Sequence, residues 1–215
     1  MSGDSFIVVE GPIGVGKTTL ARRLADSFGA ELVLEGADGN PFLERFYRNP
    51  REAALSTQLH FLLQRTGQMR ELGQKDLFRG PRVADFLIDK DQLFAEINLD
   101  ADEFALYQDL YRHLVIEAPQ PDLVIYLQAP VKTLLDRVDR RGIGYEQGMD
   151  PDYLQRLADA YMRFFHDYHR APLLIVNAAE VNFADNDADY GALLEEIQRI
   201  GSGRHFFNPA PLSTA

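Results

Sequence analysis

Nine consecutive residues, Gly11-Pro12-Ile13-Gly14-Val15-Gly16-Lys17-Thr18-Thr19, carry the most legible chemistry in the chain. Gly11 is followed, after four intervening residues, by Gly16-Lys17-Thr18, the spacing of a loop that wraps a polyphosphate. Glycines there let main-chain N–H groups turn inward and let phosphate oxygens approach closely. A helix that opens directly after the loop aims its unsatisfied N–H groups and positive dipole end at the same place. Lys17 would reach the β- and γ-phosphates of ATP, and the Thr18 hydroxyl would ligate Mg²⁺. Gly11, Gly14, Val15, Gly16, Lys17, Thr18 and Thr19 form the candidate ATP-binding set. The bland alternative is a glycine turn beside an unremarkable lysine.

The motif needs a strand before it and a helix after it, and the sequence supplies both. Phe6-Ile7-Val8-Val9-Glu10 is a buried-type strand, and residues 17–27 read as a helix ending before Gly29. Further apolar runs at 31–35, 81–85, 122–127 and 173–176 read as strands. Helical patterns occupy 40–47, 51–72, 101–117, 131–141, 151–168 and 189–200. Near-continuous apolar runs alternating with helices predict an α/β fold with a parallel sheet covered on both faces. The expectation is a P-loop NTPase-type three-layer fold with a five-stranded parallel sheet flanked by helices. It comprises one domain over 1–200 and a Gly-, Pro- and Ser-containing tail over 201–215.

Composition narrows the function classes. A net charge of -11 over 215 residues argues against a broad nucleic-acid-binding face, because phosphate backbones recruit basic surfaces. The absence of cysteine excludes disulfides, zinc–thiolate sites, iron–sulfur clusters and cysteine nucleophiles. No apolar run approaches the roughly 20 residues of a membrane span, and the first residues lack a basic segment followed by an apolar one. The expected setting is cytoplasmic, with no membrane and no nucleic-acid partner.

In parallel α/β sheets the site lies at the carboxyl ends of the strands. Glu35 and Asp85 fall at two such ends. Phosphoryl transfer needs in-line positioning, a metal, cationic groups for the equatorial oxygens and a carboxylate near the acceptor hydroxyl. Glu35 is the candidate general base, and Asp85 the candidate partner of Thr18 at Mg²⁺. Arg137, Arg140 and Arg141, at spacings of three and four, share a helical face and precede Gly142-Ile143-Gly144. That pattern suits a lid closing over the transferred group. Solvated acids at strand ends and a basic helix terminus are the simpler readings of the same residues.

Larger pieces of sequence add a resemblance. Glu10 to Thr19, the octet Asn40-Pro41-Phe42-Leu43-Glu44-Arg45-Phe46-Tyr47, the segment from Gln58 to Arg65, Val83-Ala84-Asp85-Phe86 and the segment from Arg137 to Glu146 resemble the deoxynucleoside kinase family. They are most similar to its bacterial deoxyadenosine/deoxyguanosine kinase branch, and the likeness runs from about residue 6 to residue 200. The resemblance implies ATP-dependent transfer to the 5′-hydroxyl of a deoxynucleoside, a purine, in nucleotide salvage, by a homodimer. It implies Glu35 as the base beside that hydroxyl, Tyr47 with Glu146 on the sugar 3′-hydroxyl, and Gln58 on the base edge with Arg65 nearby. It further implies the 137/140/141 arginines as the lid and the loop 182–187 near the adenine of ATP. The helices over 51–72 and 101–117 would serve as a dimer interface or as core.

Two departures stand out. Animal members carry Glu-Arg-Ser after the third strand, where this chain has Ala84-Asp85-Phe86, so the group beside Glu35 and the role of Asp85, metal or substrate, are open. Lys90 stands where animal members have an acid near the base. Two other functions stay in view. A nucleoside monophosphate kinase would need an extra cationic clamp that Gln58, Tyr47 and Glu146 do not supply. A non-catalytic accessory subunit would lose the loop lysine or the base, and Lys17, Thr18 and Glu35 are all present.

Overall fold

The computed structural model describes residues 5–74, 80–114, 118–179, 181–183 and 186–208. A parallel sheet at its centre has the order β2-β3-β1-β4-β5-β6. The strands are β1 (Phe6–Glu10), β2 (Glu31–Val33), β3 (Arg82–Ala84), β4 (Leu123–Gln128), β5 (Leu173–Asn177) and β6 (Arg204–Phe207). The helices are α1 (Lys17–Phe28), α2 (Leu43–Arg48), α3 (Pro50–Gln74), α4 (Lys90–Asn98), α5 (Ala101–Leu114), α6 (Val131–Arg141), α7 (Pro151–Asp167) and α8 (Asp187–Arg199). Every strand pairing is parallel, which requires a crossover between neighbours and buries both sheet faces. All five residues of β1 are buried accordingly.

The sheet has six strands, not the expected five. Arg204–Phe207 lies in the stretch read as a tail, yet it pairs with β5 from Leu173↔Arg204 to Val176↔Phe207. Four residues of half-exposed edge strand leave too short an alternation to stand out in sequence. Residues 209–215, the rest of that stretch, lie outside the described residues, as do 115–117 at the expected end of the fifth helix. The helix expected over 40–47 starts at Leu43 instead. Asn40 caps a tighter turn there, accepting from Phe42 N at 3.0 Å and donating its amide to Thr57 O at 3.2 Å. Helix α4 was not anticipated at all.

Local chemistry sets the remaining boundaries. Gly29 ends α1 and Gly142 ends α6 in left-handed conformations, the usual glycine C-terminus. Asp150 opens α7 by accepting from Asp152 N, with Pro151 in the first turn, and Asn186 opens α8 by accepting from Ala188 N and Asp189 N. The main core gathers β1, β4 and β5 with Leu20, Leu24, Leu134, Leu157 and Phe165. A smaller cluster of Leu43, Phe46, Ala53, Ala54 and Phe61 seats α2 on α3. The long α3 thus lies beside the strand ends and carries polar side chains toward them.

The turn between β1 and α1 is packed from beneath. Gly11 has φ 150°, and a Cβ there would lie 2.5 Å from Leu127 O on β4. A Cβ on Gly14, at φ 82°, would lie 2.7 Å from Leu134 O of α6. Gly16, at φ 103°, has open space around it and needs glycine for its backbone angle alone. Gly11→Ala is therefore expected to cost about 2–4 kcal/mol of stability and Gly16→Ala about 1–2 kcal/mol. Urea titration without nucleotide checks this ordering, and equal losses would contradict the packing account.

Candidate active site

Glu10 ends β1 immediately before the glycine loop and is fully buried. Its Oε2 accepts from Gly11 N at 2.9 Å and from the Tyr161 hydroxyl at 3.1 Å. Its Oε1 accepts from Leu87 N at 2.7 Å and lies 3.1 Å from the Lys90 ammonium. A carboxylate removed from water needs this many partners. The loop that follows is closed by Val15 N donating to Pro12 O at 3.3 Å. Lys17 folds over it and donates to Gly11 O at 2.7 Å and Pro12 O at 3.2 Å. Burial lowers the Lys17 ammonium to about 8, with Lys90 acting in the same direction against Glu10 and Asp85.

Asp85, just past β3, joins the loop to Glu35. It is buried, and its Oδ2 accepts from the Thr18 hydroxyl at 2.5 Å while its Oδ1 accepts from the Glu35 main-chain N–H at 2.7 Å. A hydroxyl and a carboxylate converging at the foot of a phosphate loop form an all-oxygen donor set suited to a hard cation. Among the described residues no group of three or more His, Cys, Asp and Glu forms a metal cage. An ion held by Thr18 and Asp85 would complete its shell with phosphate and water oxygens.

Glu35 lies beyond β2, and α3 reaches it with three side chains. Gln64 donates to Glu35 O at 2.5 Å and Gln68 to Leu34 O at 2.7 Å. Arg65 pairs with the Glu35 carboxylate through NH2 and with buried Asp91 through NH1. Burial lowers the Arg65 guanidinium to about 10 against the pull of Glu10 and the neighbouring acids. Lys90 Nζ lies 3.0 Å from the same Glu35 oxygen, Oε1, that Arg65 meets. Both cations sit on Oε1. Among the described residues Oε2 has no hydrogen-bond partner, and the side chain keeps 18% exposure.

The other expected residues fall around this centre. Gln58 is 3% exposed and lies two turns before Arg65 on the same face of α3; its amide takes no part in the hydrogen bonds of the site. Arg65, expected near Gln58 at the base edge, spends its guanidinium on Glu35 and Asp91. Tyr47 stacks on Tyr145 with centroids 5.6 Å apart. Burial pushes its hydroxyl well up, and Tyr153 and Glu146 add to that. Glu146, expected with Tyr47 on the sugar 3′-hydroxyl, accepts from Arg141. The three arginines of α6 diverge. Arg137 donates to Val15 O of the loop at 3.2 Å and to Ala178 O at 2.7 Å, Arg141 meets Glu146, and Arg140 is exposed. Lys90, expected near the base, meets Glu10 and Glu35, and it is the neighbouring Asp91 that faces Arg65. Of the loop 182–187, residues 184–185 lie outside the described residues.

Sequence reasoning missed the roles of Glu10, Asp91, Tyr161, Gln64 and Gln68. A charge closing an otherwise apolar strand just before the glycine loop was the available signal for Glu10. No local pattern marks the others, because their partners are distant in the chain.

A strand, glycine loop, lysine and threonine backed by two strand-end acids define a P-loop phosphotransferase. A family model described as deoxynucleoside kinase matches residues 7–201, and the chain belongs to that family. It is 32% identical over 205 residues to a deoxyguanosine kinase of Bacillus subtilis, covering 93% of this chain and 99% of the relative. It is 31% identical to a deoxyadenosine kinase of Lactobacillus acidophilus, covering 89% of this chain and 94% of that one. The solved deoxyadenosine kinase of M. mycoides with products dCMP and dCDP superposes with a TM-score of 0.79, covering 91% of this chain and all of that chain at 24% identity. That likeness shows the fold. The protein is an ATP-dependent phosphotransferase, a deoxynucleoside kinase. No helix among the described residues is long and apolar enough to cross a membrane.

The buried ammonium of Lys90 has a consequence for stability. Burial lowers it from 10.5 to about 8, with Arg65 acting in the same direction, although Glu10 and Asp85 oppose the shift. The unfolded chain then binds this proton more tightly than the folded one between pH 8 and 10.5, so folding stability rises with pH across that window. Relative to Lys90→Met, the wild type is expected to gain stability from pH 8 to 10 in paired urea titrations. A constant or shrinking difference would contradict a depressed ammonium.

Proposed function

We propose that the chain transfers the γ-phosphoryl group of ATP to the 5′-hydroxyl of a purine deoxynucleoside, deoxyadenosine or deoxyguanosine, and that Glu35 accepts the hydroxyl proton. The observation that carries this reading is the continuous hydrogen-bonded path from the Thr18 hydroxyl through Asp85 to the Glu35 main chain. It fixes a carboxylate with one open oxygen at a set distance from the phosphate loop. A base must be aligned with both the acceptor and the donor for in-line transfer, and this path links the two. The names of the relatives from Bacillus and Lactobacillus support a purine acceptor.

The other roles follow the same geometry. Lys17 and the loop amides hold the triphosphate. Thr18 and Asp85 would hold Mg²⁺, which would supply positive charge to offset that of the triphosphate. Tyr47 and Glu146 flank the sugar, Gln58 reads the base edge, and Arg65 sets Glu35 from behind. Arg137, already on the Val15 carbonyl, anchors a lid that Arg140 and Arg141 complete as it closes on the glycines at 142 and 144. The chain acts as a homodimer in the cytoplasm, where its co-substrate ATP is made.

Two measurements test the reading. Glu35→Gln is expected to lower kcat about 10²- to 10⁴-fold while ATP affinity, read by calorimetry, stays within about threefold. A retained kcat would remove Glu35 from its role. A coupled ADP-release assay over four deoxynucleosides should give the highest kcat/KM for deoxyadenosine or deoxyguanosine, and a lead for thymidine or deoxycytidine would overturn the purine assignment.

A further inference from the structure

Lys90 opens α4 at 2% exposure, an expensive place for an ammonium unless its neighbours require it there. The groups around it come from every surrounding element. Glu10 ends β1, Glu35 follows β2, Arg65 projects from α3, Asp85 follows β3, Asp91 is its neighbour on α4, Tyr161 stands on α7 and Lys17 on α1. The Phe94 ring lies 5.9 Å from the ammonium. Only two of these groups are within ion-pair distance, Glu10 at 3.1 Å and Glu35 at 3.0 Å.

Those two carboxylates differ in freedom. Glu10 is held from four parts of the chain, by Gly11 N, Leu87 N, the Tyr161 hydroxyl and Lys90. It is a fixed point, and one of its bonds is to the first amide of the phosphate loop. Glu35 keeps an open edge. An ammonium bound to both transmits the position of the first to the second.

We propose that Lys90 is a positioning residue that ties the acceptor base to the phosphate loop: clamped between Glu10 and Glu35, it occupies Glu35 Oε1 and so presents Oε2 to the acceptor hydroxyl. This rests on the assignment of Glu35 as the base. It also answers what stands beside Glu35 in a chain whose third strand ends Ala84-Asp85-Phe86. The cation is a lysine delivered by the next helix, assisted by Arg65.

The test is kcat and the two KM values at pH 7, with ATP and deoxynucleoside each varied, for the wild type, Lys90→Arg, Lys90→Met and the double variant Glu10→Gln/Lys90→Met. The double variant removes the pair together, so no Glu10 charge is left buried alone if the single change prevents folding. Lys90→Met is expected to lower kcat at pH 7 about 10- to 100-fold with KM for ATP within about threefold. KM for the deoxynucleoside should also stay within about threefold. The double variant should show the same fall in kcat, and Lys90→Arg should restore kcat to within about threefold of the wild type. An unchanged kcat in a folded variant without the ammonium, a loss confined to KM for ATP, or a Lys90→Arg variant as slow as Lys90→Met would each overturn the proposal. Failure of the underlying reading shows separately, as a Glu35→Gln variant that keeps its kcat whatever Lys90 does.

Discussion

A carboxylate with no exposure sits at the end of the central strand, and much of the molecule is arranged to make that tolerable. Glu10 draws hydrogen bonds from the glycine loop, from the segment after β3 and from α7, together with an ion pair from α4. An uncompensated buried carboxylate would be costly enough to shed its charge or unfold the chain. Meeting it from four sides brings four parts of the chain, distant in sequence, to one point. That point lies between the place where phosphate binds and the place where the acceptor's proton leaves.

Around it, four acids are distinguished by their partners rather than by type. Glu10 and Asp91 are enclosed and serve other side chains. Asp85 divides its oxygens between a threonine hydroxyl and a backbone N–H. Glu35 keeps one oxygen uncommitted. A low-dielectric setting strengthens each of these pairings and penalises each omission. Chemistry is thereby assigned to one carboxylate among several that look alike in a list of residues.

How much of this could be read beforehand follows from range. The glycine loop was legible because its chemistry is contiguous, and helix α6 was placed from residue 131 to 141 because its caps and apolar spacing are local. Glu35 and Asp85 were legible once strand ends were located. The charge network was not, since Lys90 and Asp91 are neighbours in sequence but turn to different partners, Glu35 and Arg65. The resemblance put Arg65 near Gln58 and helical spacing put both on one face, but a face does not say which acids wait opposite, here Glu35 and Asp91. Glu146 was singled out for a sugar hydroxyl, and its pairing with Arg141, five residues earlier in the chain, was not foreseen.

The sixth strand bears on how the end of this polypeptide can be handled. By covering the outer side of β5, it keeps that strand from being a bare edge open to pairing with another molecule. The same strand leads directly to Ala178, whose carbonyl receives the Arg137 guanidinium. Shortening the chain before residue 204, or placing a bulky fusion against Phe206, would disturb solubility and the arginine's footing together.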